Sequence, residues 1–437
     1  MAGSRRFHLG WFQDGFRAPA WNRRWSGTST RDWQDGGFYA DMARAFERAC
    51  FDYFMIEDSN YVPDIYGGDT AVYLKYGQRA PKHDPTALAA VLTQVTRHIG
   101  IVATVATSES TPFHVARMMS TLDHLSHGRI GWNVVTGSND RAAQNFGSER
   151  QQPHDTRYDM ADEFVEVVRK LWESWDADAV VMDEESGVYV DHGRVRAIGH
   201  RGKHYASRGP LNTLRSPQGH PVLVQAGVSP RGRAFTARHS DSVIAAANDL
   251  DDMRDLRDDI RRRAGAAGRD PDSLKVLFLI QPMIGESADD ARRKADLWAA
   301  DEDERVDFGL SSLASVTSVD FARYDPDQPL PADLVTNGHQ GQLDNMVKSR
   351  KPLRELAAGV VVGSREAGFT GTAEAVADRM IEAMEHVGGD GFLLTHFTPT
   401  RRYVDEICDG LVPELQRRGA VRTSYDHPTF KQNLLAF

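Results

Sequence analysis

The stretch Gly128-Arg-Ile-Gly-Trp-Asn-Val-Val-Thr-Gly-Ser138 carries the clearest structural signal in the chain. Its centre, Arg129 to Thr136, is a short apolar run with β-branched residues between glycines, which is typical of a buried strand. Asn133, Thr136 and Ser138 lie at or near the carboxyl end of this run, where polar groups can bind a ligand. An ordinary strand followed by a turn has the same composition, so a ligand site here is a hypothesis.

The same pattern recurs along the chain, alternating with amphipathic helices. The eight predicted strands are Phe7 to Phe12, Tyr53 to Glu57, Ile99 to Ala106, Arg129 to Thr136, Pro221 to Ala226, Ser242 to Ala247, Lys275 to Gln281 and Gly391 to Thr395. The predicted helices are Phe38 to Ala49, Thr86 to Thr96, Pro112 to Leu125, Met160 to Trp175, Leu250 to Ala264 and Ala373 to His386. This order predicts an α/β fold, a (β/α)₈ TIM barrel.

A doubly wound open sheet is the rival fold. No Gly-x-Gly-x-x-Gly follows a predicted strand, which argues against a dinucleotide-binding version of it. Two stretches depart from the alternation of strands and helices. They predict insertions after the fourth and seventh strands, at about 176–219 and 305–369. We interpret residues 1–437 as a single barrel domain and 305–369 as an active-site lid.

Composition excludes several classes of protein. Hydrophobic residues at 41% and charged residues at 26% argue against a disordered chain. The net charge of −10 argues against nucleic acid or an anionic membrane surface as the main partner. No run of 18 apolar residues predicts a membrane span. Two cysteines, Cys50 and Cys408, fit a reducing cytoplasm and provide no zinc motif, and we expect no bound metal.

Two short segments predict an anion site. His154 and Tyr158 lie four residues apart near a predicted helix start, where free amides and the helix dipole attract anions. In Gln225-Ala-Gly-Val-Ser-Pro-Arg-Gly232, Ser229 has the position of an N-cap, and the amides of Gly227 and Val228 precede it. Helix capping alone explains both segments equally well.

Further candidates follow other predicted strands. Asp58, Thr104 and Thr107 lie at strand ends, where a barrel holds its chemistry. His114 begins a predicted helix, where capping is the simpler interpretation and an active-site imidazole is the alternative.

Taken together, the motifs resemble the flavin-dependent monooxygenases of the bacterial-luciferase superfamily, in the branch of the nitrilotriacetate, dibenzothiophene sulfone and long-chain alkane monooxygenases. The resemblance spans nearly the whole chain. The motifs are Gly10-Trp-Phe, Ala116-Arg117, Thr121-Leu-Asp-His-Leu-Ser126, Gly131-Trp-Asn-Val-Val-Thr136, Asn145-Phe-Gly147, His154-Asp-Thr-Arg-Tyr-Asp159, Ala161-Asp-Glu-Phe164, Arg208-Gly-Pro-Leu211, Ser216-Pro-Gln-Gly219 and Gln225-Ala-Gly227.

The resemblance implies a two-component enzyme. A separate NAD(P)H:flavin reductase would supply FMNH₂, and a flavin peroxide, at C4a or N5, would insert one oxygen atom from O₂ into a small organic substrate. In this family the protein supplies orientation and a dry site, and the flavin supplies the chemistry. The implied cofactor-binding residues are Asp58, Thr104, Asn133, Thr136, His154, Tyr158 and Ser229, with Thr107, Gly137, Gly227 and Val228 less certain.

For catalysis and substrate binding the resemblance gives weaker guidance. His114 is the candidate proton relay, and Trp11, Phe12, Phe113 and Trp132 are candidate pocket walls. The substrate could be a heterocycle, an organosulfur compound or an amine. Arg17, Arg23 and Arg24 could bind an acidic substrate, although surface arginines are common.

Two alternatives remain open at the level of function. One is a deazaflavin-dependent oxidoreductase on the same fold, and the other is a flavin-binding protein without catalysis. The family also implies association, and we expect a cytoplasmic homodimer or homotetramer.

Overall fold

Eight parallel strands close into a barrel in the computed structural model. The structure describes residues 6–14, 18, 32–247, 249–298, 302–362, 368–396 and 399–437. The barrel strands are β1 His8–Gln13, β2 Tyr53–Ile56, β3 Gly100–Ala106, β4 Ile130–Val135, β5 Val222–Gln225, β6 Ser242–Ala245, β7 Lys275–Ile280 and β8 Gly391–Thr395. Neighbours in the chain pair in order, and β8 closes the ring against β1 with Gly391 opposite His8.

All eight predicted strands are confirmed, each within two residues at either end. A closed barrel excludes the open doubly wound sheet. The helices in the described residues are α1 Gly37–Arg48, α2 Ala71–Tyr76, α3 Pro85–Val95, α4 Pro112–Leu125, α5 Asp140–Asn145, α6 His154–Trp172, α7 Pro230–His239, α8 Leu250–Ala266, α9 Ala288–Trp298, α10 Glu302–Thr317, α11 Gln340–Ser349, α12 Leu353–Val362, α13 Ala373–Val387, α14 Arg401–Asp405, a π-helical turn Glu406–Leu411, α15 Val412–Arg417 and α16 Phe430–Leu434.

The predicted start of α6 at Met160 is wrong, because the helix begins at His154, directly after Pro153. The polar turn His154-Asp-Thr-Arg-Tyr-Asp159 looks like a loop in sequence, yet Arg157 and Tyr158 are buried on its inner face. The extra turns matter for function, because they place His154 and Tyr158 on one helix at the carboxyl end of the barrel.

Strand alternation divides the core into two layers. Side chains of one parity pack outward against the helices, and side chains of the other parity fill the barrel. The inner layer contains Tyr53, Met55, Val102, Val222, Val224, Ile244, Leu277 and Leu393, together with Phe430 and Leu434 from α16. A Cβ at Gly100 would lie 2.6 Å from the Phe430 ring, so only glycine lets α16 close the amino end of the barrel.

Buried aspartates cap the amino edge of the barrel. In each case the aspartate just before a strand accepts a backbone N–H of the neighbouring strand. This N–H has no partner in the hydrogen-bond ladder of the sheet. The pairs are Asp52 with Leu9 at 2.9 Å, Asp241 with Leu223 at 2.9 Å and Asp390 with Val276 at 3.0 Å.

The two irregular stretches differ in structure. Residues 176–219 lie between α6 and β5 and contain two antiparallel hairpins, Val180–Asp183 with Val188–Val190 and His200–Arg201 with Ala206–Ser207. Between β7 and α13, the sequence predicts irregular chain over 305–369, whereas the structure has helices α10, α11 and α12 there. Their apolar faces form a separate small core around Leu310, Leu313 and Leu343, which explains why this segment folds as helices.

Candidate active site

A chain of hydrogen bonds crosses the carboxyl ends of β2, β3 and β4. Asn133 Nδ2 donates to Thr104 Oγ at 2.9 Å, and Thr104 Oγ donates to the Ile56 carbonyl at 2.7 Å. These bonds fix the orientation of the Asn133 amide. Asn133 Oδ1 is buried, and no donor in the described part of the chain lies within hydrogen-bonding distance of it. The site therefore presents an oriented acceptor, which fits an N–H group of a ligand.

More unpaired polar atoms lie around Gly137, in the loop that follows β4. Within the described residues, Ser108 Oγ, Asn139 Nδ2 and Gln151 Nε2 are buried without a hydrogen-bond partner. Gly137 has a positive φ of 71°, and a Cβ there would lie 2.6 Å from Gln151 Nε2. Thr107 is buried and Thr136 is half-buried in the same loops. Orphaned polar atoms concentrated in one place indicate a ligand site, since buried polar groups are normally paired.

The predicted anion site comes together at the starts of α6 and α7. The rings of His154 and Tyr158 lie 5.1 Å apart, and Ser229 Oγ is 3.3 Å from His154 Nε2. Ser229 is the N-cap of the ten-residue helix α7, accepting the Gly232 N–H at 3.1 Å. Burial raises the pKa of Tyr158, so its phenol remains a hydrogen-bond donor. We call His154, Tyr158 and Ser229, with the backbone of Gly227 and Val228, the anion cradle.

Gln225 supports the cradle from the last position of β5. Its amide Nε2 donates to Tyr158 Oη at 3.4 Å, and its Oε1 accepts from the Gly227 N–H and from Thr236. A Cβ at Gly227 would lie 2.8 Å from Tyr158 Oη, so the phenol fits only over glycine. The sequence motif contains Gln225, but nothing local in the sequence shows that it holds Tyr158.

Two arginines close to the cradle point elsewhere. Arg157 donates to Asn337 Oδ1 at 3.1 Å and to the Asn337 carbonyl at 3.2 Å. Arg231 forms ion pairs with Asp159 and Asp162. Neither guanidinium is hydrogen-bonded to a side chain of the cradle.

Two acids follow β2 and behave in opposite ways. Burial acts to raise the pKa of Glu57, but Lys82 at 2.7 Å and Arg79 at 3.0 Å outweigh it and lower the pKa. Asp58 accepts the Ser59 N–H at 2.9 Å, its single hydrogen bond within the described residues, and burial raises its pKa to about 7. Asp58 can therefore hold or release a proton near neutral pH.

His339 is a site residue that the sequence analysis missed. It follows Gly338 between α10 and α11 and is exposed to solvent, yet surrounding protein lowers its pKa to about 4. Repulsion from Arg79, Arg157 and His154 acts in the same direction. The ring keeps an exposed surface although many protein atoms surround it, and at pH 7 it is a neutral imidazole. The turn Thr336-Asn-Gly-His339 is the sequence signal that could have drawn attention to it.

The candidate pocket walls require a correction. Trp11 packs on Phe46 at 4.7 Å and Trp132 on Phe164 at 5.9 Å, and neither indole is exposed. Both therefore belong to the outer core between sheet and helices. Adjacent strand residues face opposite sides, so Trp132 cannot share the inward direction of Asn133.

Phe12 does face the barrel interior, packed against the inner layer. Phe113 is half-buried at the start of α4, and His114 beside it is exposed. The role of His114 stays a prediction. Arg17, Arg23 and Arg24 lie outside the described residues.

The residues that the structure describes contain neither a metal-binding cluster nor a membrane-spanning helix. There, no group of three His, Cys, Asp or Glu side chains is placed to hold a metal ion. Nor does any helix in this part of the chain combine the length and apolar character needed to cross a bilayer.

A closed parallel barrel with polar side chains gathered at its carboxyl end has the architecture of the TIM-barrel enzymes, which hold their chemistry at this face. Residues 16–391 match the family model of luciferase-like monooxygenases, and the chain belongs to this family. It is an enzyme of the monooxygenase class.

Individual relatives cover nearly the whole chain. The dibenzothiophene-sulfone monooxygenase of Rhodococcus erythropolis (strain XP) is 38% identical, with 99% of this chain and 97% of the relative covered. The dimethyl-sulfide monooxygenase of Hyphomicrobium sulfonivorans is 34% identical, covering 92% and 84%. Among solved structures, a riboflavin lyase with modified FMN and riboflavin superimposes with a TM-score of 0.88 at 32% identity, covering 99% and 96%.

Proposed function

We propose that this protein is an FMNH₂- and O₂-dependent monooxygenase that inserts one oxygen atom into a small organosulfur compound. A separate reductase delivers the reduced FMN. The observation that carries the proposal is the combination of the anion cradle with the unpaired Asn133 Oδ1 at the same end of the barrel. The first fits a phosphate, and the second fits a ring N–H.

The donor set of the site fits FMN. His154, Tyr158 and Ser229, with the amides of Gly227 and Val228, would hold the phosphate. Asp58, Thr104 and Asn133 would border the ring, while Thr107, Thr136 and Gly137 would contact the ring or ribityl chain. Bound reduced FMN supplies two electrons, so that one oxygen atom of O₂ enters the substrate and the other leaves as water.

The protein's own residues would orient the reactants and control protons and water. Asp58, with its pKa of about 7, would hold a proton beside the ring. Phe12 and Phe113 would form apolar walls, and the segment 305–369 would exclude water as a lid. His114 is proposed as a proton relay that acts without affecting flavin affinity.

Support for an organosulfur substrate comes from the names of relatives. Three of them are named for sulfur compounds: dibenzothiophene sulfone, dimethyl sulfide and N-acetyl-S-(2-succino)cysteine. Support for a separate reductase comes from a relative named as component A of nitrilotriacetate monooxygenase. Heterocyclic and amine substrates are the alternatives to test beside sulfur compounds.

The test is a single-turnover reaction. The protein would be mixed with photoreduced FMN and ¹⁸O₂, with dibenzothiophene sulfone, dimethyl sulfide, a tertiary amine or an alkane present. We expect product carrying one ¹⁸O atom from a sulfur compound and slower flavin reoxidation than in free solution. Reoxidation at the free-solution rate, with no labelled product, would contradict the proposal.

Control experiments separate the alternatives. Binding of a reduced deazaflavin without binding of FMN would favour a deazaflavin-dependent oxidoreductase. Tight FMN binding without oxygen transfer to any compound would favour a non-catalytic flavoprotein. Light scattering tests association, where we expect two or four times the 48.6 kDa chain mass.

A further inference from the structure

Arg157 lies in the middle of the anion-cradle motif but serves a different segment. It is 3% exposed, and within the described residues it forms no ion pair. Its guanidinium donates instead to the Gln152 carbonyl at 2.6 Å and to two oxygens of Asn337, at 3.1 and 3.2 Å. A buried cation that is hydrogen-bonded to neutral acceptors is costly. Burial lowers the pKa of Arg157 even though Asp140 lies near enough to oppose the effect.

Asn337 belongs to the turn Thr336–His339, which we call the strap turn. The turn is anchored on α10, where the His339 N–H donates to the Val316 carbonyl at 3.1 Å. A Cβ at Gly338 would lie 2.7 Å from the Thr317 backbone, so glycine is required for this close approach. Asn337 Nδ2 also donates back to the Gln152 carbonyl at 3.3 Å. Arg157 and Asn337 thus join α6 to the segment that carries His339.

The same helix turn carries the anion cradle. His154 is three residues before Arg157, and Tyr158 is the next residue. An anion in the cradle would compensate the buried charge of Arg157, which burial otherwise disfavours by lowering its pKa. The attraction depends on where the guanidinium lies, and the hydrogen bonds to Asn337 hold it in place within electrostatic range of Tyr158. Because coupling between two sites is reciprocal, a docked strap turn would also tighten anion binding.

We propose that Arg157 is a positioning residue that couples anion binding in the cradle to docking of the strap turn, which carries His339. Where the anion is the phosphate of FMN, the proposal rests on the proposed function. The coupling itself needs only an anion.

The experiment measures hydrogen exchange of the strap-turn amides together with ligand affinity. The probes are oxidised FMN, riboflavin, which lacks the phosphate, and inorganic phosphate. The variants are Asn337→Ala, which removes the strap-turn side chain, and Arg157→Lys, which keeps the charge but loses the planar fork. The control is Asn145→Ala, which removes another loop-to-loop hydrogen bond at this end, from Asn145 Nδ2 to the Asn60 carbonyl.

In the unmodified protein, FMN and inorganic phosphate should slow strap-turn exchange about threefold to tenfold, and riboflavin should not. Asn337→Ala and Arg157→Lys should abolish this slowing and weaken FMN binding by a similar factor, without changing riboflavin affinity. Asn145→Ala should change neither quantity.

Several results would overturn the coupling. One is equal slowing by FMN in Asn337→Ala. Another is weaker FMN binding in Arg157→Lys with unchanged binding in Asn337→Ala, which would make Arg157 a direct phosphate ligand. If the protein binds neither flavin, the proposed function fails, while the inorganic phosphate measurement still decides the coupling by itself.

Discussion

The two ends of the barrel use the same residue types for different purposes. At the amino end, Asp52 accepts from the Leu9 N–H, from His8 at 2.9 Å and from Arg422 at 2.7 Å. At the carboxyl end, six residues later, Asp58 accepts one backbone N–H. The first carboxylate is committed to structure, and the second is left available for chemistry. The direction of a parallel strand therefore predicts the use of an acid better than the acid's identity does.

The pKa values show the same contrast. Burial acts to raise the pKa of Asp52, but His8 and Arg422 lower it below its ordinary value. Burial raises the pKa of Asp58 to about 7, and Lys82 only partly opposes this. The two acids should therefore give stability profiles with opposite dependence on pH.

The largest expected effect is at the amino end. Asp52→Asn should lower the free energy of unfolding by about 3–5 kcal/mol at pH 7, because His8 and Arg422 lose their buried counter-charge. The pKa of Asp52 is depressed in the folded state, so the loss should shrink as the pH falls below about 4. Urea unfolding at about pH 7 and about pH 3 measures it. If the folded variant lost FMN affinity, the amino end would also contribute to ligand binding, and the separation of structural and functional ends would be wrong.

The opposite change in the free energy of unfolding is expected for Asp58, six residues after Asp52. Asp58→Asn should raise the free energy of unfolding by about 1–3 kcal/mol at pH 8, after allowance for the partial exposure of Asp58. A raised folded-state pKa means that the native protein loses stability as the pH rises from about 4 to about 7. Urea unfolding across this range measures the gain, which should vanish below about pH 4. A gain independent of pH would contradict this interpretation of Asp58.

A smaller effect is expected in the anion cradle. Tyr158→Phe and Ser229→Ala should each weaken FMN binding, by about 0.5–1.5 kcal/mol if one neutral hydrogen bond is lost and by more if the charged phosphate is left unpaired. Quenching of flavin fluorescence measures the affinity. Riboflavin affinity is the internal control and should not change. Unchanged FMN affinity in both variants would show that the phosphate does not bind in the anion cradle.

The smallest expected effect on the site comes from Trp132→Phe. The indole packs between β4 and α6, and its Nε1 donates to the Val105 carbonyl at 3.0 Å. The substitution should cost stability by about 1–2 kcal/mol, while FMN affinity should stay within about twofold. Flavin titration and urea unfolding check both parts. A large loss of affinity would restore Trp132 as a pocket wall.

The sequence predicts the features that depend on residues close together in the chain. It fails for those that depend on contacts between distant residues. The eight strands and most helices follow from local apolar patterns. His154, Tyr158 and Ser229 were found because each lies at a helix start, where capping and anion binding share a chemistry. The same local view assigned Trp132 and Asn133 to one pocket, although strand alternation places adjacent residues on opposite faces.

The remaining features depend on distant contacts. Arg157 binds Asn337, 180 residues later, and His339 comes within electrostatic range of Arg157 and His154 because α10 positions the strap turn. In sequence Arg157 looks like one more donor beside His154, and His339 looks like a loop residue. Only the packing of α10 to α12 against the barrel distinguishes these roles.

The closure of the amino end by α16 also governs how the chain is made. Gly100 and the Phe430 ring that covers it are 330 positions apart. At synthesis rates of roughly 5–20 residues per second, roughly 15–70 seconds pass between the two. During that interval the first four strands already exist, but the apolar floor that they need has not left the ribosome. The apolar surface of these strands therefore stays uncovered until α16 is synthesised. We expect chaperones that shield apolar surface to bind the chain during translation.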